Sequence, residues 1–131
     1  GLKRMTTTLS LPYPVSANVY WRTAARGNKA TTYVSDEAKQ YKRTVWLIGR
    51  KMKPIEGDAS IALALHPRMT KSGKAYKQVL DLDNAIKVTL DALIGIAYED
   101  DKQVKHISAR YCEPVQDGGL TVEIAAYNGG F

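Results

Sequence analysis

The sequence has few of the residues that build disulfide bonds and zinc sites. Among its 131 residues there is one cysteine, Cys112, and there are two histidines, His66 and His106. One cysteine forms no disulfide within the chain, and a structural zinc site usually takes four cysteine or histidine ligands. Any metal bound here is therefore expected to be a hard cation held by oxygen atoms.

Long apolar segments are missing as well. No run approaches the roughly 20 apolar residues of a membrane-spanning helix. The N-terminal letters GLKRM also lack the apolar core of a signal peptide. We therefore expect a cytoplasmic protein without a membrane partner, and we expect residues 1–4, before Met5, to be a cloning remnant.

Charge is distributed unevenly along this basic chain, whose formal net charge is +6. Residues 1–53 contain eleven lysines and arginines against two acids, whereas residues 54–131 contain eight against eleven acids. Such an excess of positive charge favours a polyanionic partner, for which nucleic acid is the usual candidate. A surface that merely keeps the protein soluble explains the excess equally well.

Length and periodicity predict one α+β domain, in which helices pack on a small mixed β-sheet. The elements are expected in the order strand, helix, strand, helix, strand, strand. The two last strands are expected to form a hairpin through a turn at 116–119. The expected elements are a strand at 6–11, a helix from the cap Ser35 to Lys53 that buries Ala38, Tyr41, Val45, Ile48 and Met52, a strand at 58–66, a helix at 82–95, and strands around 107–111 and 120–126.

Two segments are predicted to be basic loops, residues 12–34 and 67–80. The first interleaves cations with aromatic residues, which suits contact with DNA because rings can stack on exposed bases. A loop folded over the core, with its rings buried, fits the same pattern. The second loop leads directly into an acidic motif. The cations expected to bind DNA are Arg22, Arg26, Lys29, Arg68, Lys71, Lys74 and Lys77.

Two groups of acids flank the predicted second helix, with Lys87 between them. A D-x-D-N motif at the start of a helix is most often a simple cap. Two acidic groups in one region indicate more than a helix cap, because like charges repel one another unless a cation neutralises them. The first group comprises Asp81, Asp83 and Asn84, and the second comprises Glu99, Asp100 and Asp101.

A divalent cation, Mg²⁺ with Mn²⁺ as a plausible substitute, would resolve this repulsion. Bound by Asp81, Asp83 and an acid from residues 100–101, it would polarise a phosphodiester and lower the pKa of a bound water. Lys87 would either add positive charge to the transition state or help to deprotonate the water. Asp91 lies two turns beyond Asp83, and we expect it to pair with Lys87.

At these residues the sequence resembles the RusA family of Holliday-junction resolving endonucleases. The resemblance spans nearly the whole chain. Its most specific feature is the combination of spaced aspartate motifs with an N-terminal LPxP segment. The matching residues are 81-DLDN-84 with Lys87, 91-DAL-93, 100-DD-101 followed by Gln103 and Val104, and 11-LPYP-14.

The resemblance implies a role for each matching residue. It implies that Asp81, Asp83 and Asp101 bind the metal, that Lys87 is essential, and that Asp100 is a less critical further ligand. Asn84 matches an adjacent amide, which is expected to contact DNA. It further implies a homodimer whose two sites nick a four-way junction symmetrically in DNA recombination and repair. Val15 stands where the family favours a proline, so the resemblance does not define which loops contact DNA.

Two other functions fit the same sequence. A nucleic-acid-binding module without catalysis would use the cations alone, although it gives the clustered acids no role. A phosphohydrolase for small nucleotides would use the acids alone. Salt separates these functions, because DNA binding weakens steeply as the salt concentration rises.

Overall fold

The structure is a computed structural model that describes residues 6–129, apart from the side chain of Arg26. It confirms the predicted α+β class, and residues 1–4 lie outside the described part. No helix within that part is long and apolar enough to cross a membrane. The elements are β1 (Thr6–Leu11), α1 (Ala17–Tyr20), β2 (Trp21–Arg26), β3 (Lys29–Val34), α2 (Asp36–Gly49), β4 (Ala59–His66), α3 (Leu82–Ala92), a 3-10 turn (Asp101–Gln103), β5 (Val104–Tyr111) and β6 (Gly119–Ala126).

Four strands form a mixed sheet in the order β1-β6-β4-β5. Strand β4 pairs in parallel with β5 and antiparallel with β6, so the predicted hairpin between β5 and β6 is wrong. Ile61, Leu63 and Leu65 of β4 are almost fully buried. Because β4 is the most apolar strand, it occupies the centre, and the chain crosses over it between β5 and β6.

Residues 12–34 are not the predicted loop. They contain α1 and a hairpin in which β2 pairs antiparallel with β3 as a separate two-stranded sheet. A two-residue connection joins the strands, and Gly27 adopts the positive φ of 61° that such tight turns require. The hairpin was not predicted from the sequence, because its turn residues, Gly27 and Asn28, lie inside a segment that is already rich in loop-forming residues.

Helix α2 starts as predicted and packs differently near its end. Ser35 caps it, with its Oγ accepting a hydrogen bond from the Ala38 N–H at 3.1 Å. Ile48, predicted to be buried, is 41% exposed, and Gly49 takes the buried position instead. A Cβ at Gly49 would stand 2.7 Å from Cγ2 of Ile96. This close approach explains why glycine ends the helix there, before the predicted Lys53.

Helix α3 packs on the sheet through a face of small residues. Its fully buried residues are Ala85, Val88, Thr89 and Ala92, whereas Leu82, Ile86 and Leu90 are only half-buried. Small side chains let the helix axis approach the sheet closely. The opposite face of α3 remains exposed, and it carries Asp83 and Lys87.

Thr89 provides a test of this packing, because its buried Oγ has no hydrogen-bond partner among the described residues. We expect Thr89→Val to raise the free energy of unfolding by about 1 kcal/mol, since an unpaired buried hydroxyl costs free energy that a methyl group does not. Urea unfolding measures the change. Thr44→Val on the exposed side of α2 is the control and should stay within about 0.5 kcal/mol. A clear destabilisation by Thr89→Val would show that the hydroxyl is paired.

Candidate active site

The first acidic group lies at the start of α3. Asp81 is the N-cap residue, yet the described structure shows no capping hydrogen bond from its side chain. Asp83 lies in the first turn, and both carboxylates are exposed. Lys87 is exposed one turn later, on the side of the helix that Asp83 occupies. These three charged groups are therefore free to meet a ligand from solvent.

Two tyrosines fix the backbone immediately before Asp81. The Leu80 N–H donates to the Tyr13 hydroxyl at 2.7 Å, and the Tyr111 hydroxyl donates to the Leu80 carbonyl at 2.9 Å. Tyr13 belongs to the LPYP segment after β1, and Tyr111 ends β5. The backbone at the start of α3 is thus fixed by one tyrosine from the N-terminal part of the chain and one from the C-terminal part.

Helix α3 is also tied to α1 at two points. Oδ1 of Asn84 accepts a hydrogen bond from the Ala17 N–H at 2.7 Å, at the start of α1. At the end of α1, the Tyr20 hydroxyl donates to Oδ2 of Asp91 at 2.5 Å. Burial, together with this bond, raises the pKa of Tyr20 above its ordinary value. The amide of Asn84, which was expected to contact DNA, thus uses its oxygen to hold α1.

Asp91 does not have the ion-pair partner that the sequence suggested. Its Oδ2 lies 3.8 Å from Nζ of Lys42 on α2, which corrects the expected pairing with Lys87. The packing of α2 beside α3 brings Lys42 within reach, and no local spacing could show this. Lys87 thereby keeps its charge available for another partner.

Asp100 and Asp101 have different roles in the turn that follows α3. Asp100 is the N-cap of the 3-10 turn, and its Oδ1 accepts a hydrogen bond from the Lys102 N–H at 2.9 Å. Asp101 lies in the turn itself and is half-buried. Asp100 is thus engaged in capping, whereas Asp101 accepts no capping hydrogen bond in this turn.

Gln103 holds this acid turn (residues 99–103) against the segment before β4. Its Oε1 accepts hydrogen bonds from the N–H groups of Glu99 and Asp100, at 2.9 and 3.0 Å. Its Nε2 donates to the carbonyls of Ile55 and Gly57, at 2.8 and 2.7 Å. Its amide therefore makes four hydrogen bonds, two to each segment. It also borders a recess of about 740 Å³, which Glu99 lines and Asp100 and Asp101 do not.

The electrostatics of the acid turn connect it with the end of α3. Burial, a hydrogen bond with Asp100 and the negative charges of Asp100 and Asp91 raise the pKa of Asp101, while Lys102 partly offsets them. The charges of Asp101 and Asp91 also contribute to a raised pKa of Tyr98, which is due mainly to burial. The charges of Asp91 and Asp101 therefore both influence Tyr98.

The predicted metal ligands are not gathered at one point. Among residues 6–129, no three aspartate, glutamate, histidine or cysteine side chains lie close enough together to hold a metal ion. Asp81 and Asp83 are at the start of α3, whereas Asp101 lies in the 3-10 turn after that helix. The ligand assignment of Asp81, Asp83 and Asp101 stays a prediction.

The predicted DNA-binding cations lie in two places. Lys71, Lys74 and Lys77 are exposed in the loop before α3, which folds back on itself where Met69 bridges Ala75. Arg68 is exposed too, and its guanidinium carbon lies 4.8 Å from the centre of the Tyr13 ring. Arg22 and Lys29 are exposed on the hairpin, whereas the side chain of Arg26 is outside the described structure.

Several residues that position the site were not assigned this role from the sequence. Tyr13, Tyr20, Tyr111 and Gln103 all act through hydrogen bonds that join segments distant in the chain. The one local signal was the spacing of Asp100 and Gln103, which is that of a capping box. The tyrosine contacts depend on tertiary structure.

Exposed acids and a lysine on one helix, beside two basic segments, are typical of proteins that act on nucleic acid. A family model described as Endodeoxyribonuclease RusA matches residues 12–125. The chain is also 34% identical, over 116 residues, to the crossover junction endodeoxyribonuclease RusA of Enterobacteria phage HK97, a match that covers 87% of this chain and 89% of that protein. The chain belongs to the RusA family of endodeoxyribonucleases.

The contacts of Gln103 generate a prediction about the acid turn. We expect Gln103→Ala to lower the free energy of unfolding by about 1–3 kcal/mol, because it removes four hydrogen bonds. Amide hydrogen exchange at residues 99 and 100 should accelerate more than exchange in β4. Gln40→Ala on the exposed side of α2 is the matched control. Unchanged exchange at residues 99 and 100 would exclude this role.

The raised pKa of Asp101 generates a second prediction. A carboxyl group with a raised pKa binds more protons in the folded state, so its contribution to stability falls as pH rises. Asp101→Asn should therefore be more stable than the unmodified protein at neutral pH, and the gain should shrink towards about pH 3. Urea unfolding without divalent cations measures both. Asp117→Asn, at an exposed acid between β5 and β6, is the control. A loss of stability at neutral pH would contradict the assigned repulsion.

Proposed function

We propose that this chain is a Mg²⁺-dependent endonuclease that resolves four-way DNA junctions by paired nicks in DNA recombination and repair. The observation that carries the proposal is the family match over residues 12–125. The name of the phage HK97 relative, a crossover junction endodeoxyribonuclease, supports the junction as substrate. The exposed aspartates and lysine of α3 supply residues of the right chemistry.

We propose Asp81, Asp83 and Asp101 as the ligands of Mg²⁺, with Mn²⁺ as a substitute. Their carboxylate oxygens are the donors that such ions prefer, and Mg²⁺ usually takes one or two carboxylates together with waters and phosphate oxygens of the substrate. A preformed group of three acids is therefore not required. Asp100 is the weaker candidate, because it already caps the turn. The ion would polarise the phosphodiester and activate a water.

Two other side chains have roles beside this centre. Lys87 places its exposed ammonium group one turn from Asp83, where it can stabilise negative charge on the phosphate undergoing attack. Asn84 keeps α1 docked on α3 through its oxygen, which leaves its amide NH₂ as a donor for a phosphate. The exposed lysines of the loop before α3 would contact the DNA backbone.

We also propose a homodimer, because paired nicks need two active sites. The open face of the four-stranded sheet, away from α2 and α3, offers a surface for a second copy. Its central strand presents short side chains that are half-buried. Arg110 on β5 and Glu123 on β6 flank that strand, so a two-fold axis could bring opposite charges together. The residues of this face include Ser60, Ala62, Ala64, Ser108, Arg110, Thr121 and Glu123.

Cleavage of a cruciform plasmid tests the proposal, because paired nicks give linear DNA and single nicks give open circles. With Mg²⁺ we expect linear product, and with EDTA we expect none. Asp83→Asn should reduce cleavage at least a hundredfold while junction affinity stays equal or increases, since the change removes a negative charge near phosphates.

The control for this test is Asp117→Asn, which makes the same change at an exposed acid between β5 and β6, outside the proposed ligands, and should cleave normally. Strong residual cleavage by Asp83→Asn would refute the site assignment. Open circles alone would refute the paired action of a dimer. Cleavage that persists in EDTA would refute the requirement for a metal.

A non-catalytic DNA-binding module is the second candidate. It fits the lack of a three-acid group in residues 6–129, because a module that binds DNA through its cations needs no such group. It predicts salt-sensitive junction binding with no Mg²⁺-dependent product. The same plasmid assay separates the two functions.

A further inference from the structure

The register of the β2–β3 hairpin separates its residues into two different faces. Arg22 lies opposite Tyr33, Ala24 lies opposite Thr31, and Lys29 begins β3 on the same side, because alternate residues of a strand share a face. We call this the charged face. The other face has no charged residue and consists of Trp21, Thr23, Ala25, Ala30, Thr32 and Val34.

Tyr33 differs from the other aromatic residues of this segment in its exposure. Tyr20 is fully buried, and Trp21 packs on it edge-to-face with ring centres 4.5 Å apart. Tyr13 accepts a hydrogen bond from Leu80 and lies under Arg68. The Tyr33 side chain is 49% exposed, and no hydrogen bond uses it in the described structure. Its ring is available to a ligand.

The hairpin has a fixed attachment to the helix that carries the acids. The hairpin begins directly after Tyr20 and ends directly before Ser35. The Ser35 N–H donates a hydrogen bond to the Tyr20 carbonyl at 3.0 Å, which joins the two strand ends. Tyr20 is itself bound to Asp91 on α3. These hydrogen bonds therefore fix the position of the hairpin, and of any ligand that it contacts, relative to Asp83 and Lys87 on α3.

The charges around Tyr33 favour a base there and phosphates further out. Arg22 and Lys39 border its recess together with Asp36 and Glu37, so the formal charges cancel at the root of the hairpin. Towards the tip, Lys29 has no neighbouring acid within residues 21–34. A neutral base can stack on the ring, whereas the cations along the hairpin suit phosphates.

We propose that the charged face of the hairpin binds DNA at the branch point, with Tyr33 stacked on a base that the branch leaves exposed. The inference rests on the proposed junction substrate and identifies the element that recognises branching. Bases in an intact duplex present their faces to each other, so a stacking contact of this kind selects branched over linear DNA. Arg22, beside Tyr33 in the ladder, contacts the adjoining phosphate.

Binding of fluorescent four-way junctions and linear duplexes, measured in EDTA at several salt concentrations, tests the proposal. Tyr33→Ala should weaken junction binding about ten- to a hundredfold, the usual loss for one base–aromatic stack, and leave duplex binding unchanged. Tyr33→Phe should retain junction binding. Arg22→Gln should weaken binding to both DNAs and lower the salt slope by about one.

Thr32→Ala is the matched control, because Thr32 is exposed on the uncharged face one residue from Tyr33 and should bind both DNAs normally. Thermal unfolding confirms that each variant is folded. Normal junction binding by Tyr33→Ala, or an equal loss for junction and duplex, would overturn the inference. Failure of the unmodified protein to cleave any junction would count against the proposed function instead, whatever the hairpin binds.

Discussion

The two hydrogen bonds between α1 and α3 are the constraint on which the rest of the site depends. Ala17 and Asn84 join the helices at one end, and Tyr20 and Asp91 join them at the other. A four-residue helix has no stability of its own, so α1 exists because α3 and the core hold it. The hairpin that follows α1, which would be marginal in isolation, acquires a defined position in the same way.

Most contacts that place the acidic segments come from neutral groups. Tyrosine hydroxyls hold the backbone at Leu80, and the Gln103 amide holds the turn that contains Asp101. Neutral donors and acceptors fix a backbone without neutralising the carboxylates it carries. Asp81 and Asp83 stay exposed, whereas Asp91 and Asp100 serve structural contacts in part. Asp91 and Asp100 thus help to hold the fold, whereas Asp81 and Asp83 are left for a ligand.

Local patterns predicted the elements of this fold better than their pairing. Alternation in β4 and the Ser35 cap depend on neighbours in the sequence, and both predictions are confirmed. The position of β4 between β5 and β6, and the pairing of Asp91 with Lys42, depend on residues far apart in the chain. Ile48 has the right spacing for the core, yet it is exposed, and Gly49 is the buried residue that approaches Ile96. The periodicity of the sequence does not show which of these two residues is buried.

The same argument applies to the acids. Sequence alone suggested their number and chemistry, whereas the structure places two of them at the start of α3 and Asp101 in the turn after it. Holding three carboxylates together without a cation would raise their pKa values and oppose folding. At Asp101, burial raises the pKa first, and the charges of Asp100 and Asp91 add to it. Acids spread along a helix avoid most of that repulsion. A substrate phosphate and a divalent ion could then supply, on binding, the charge balance that the protein alone lacks.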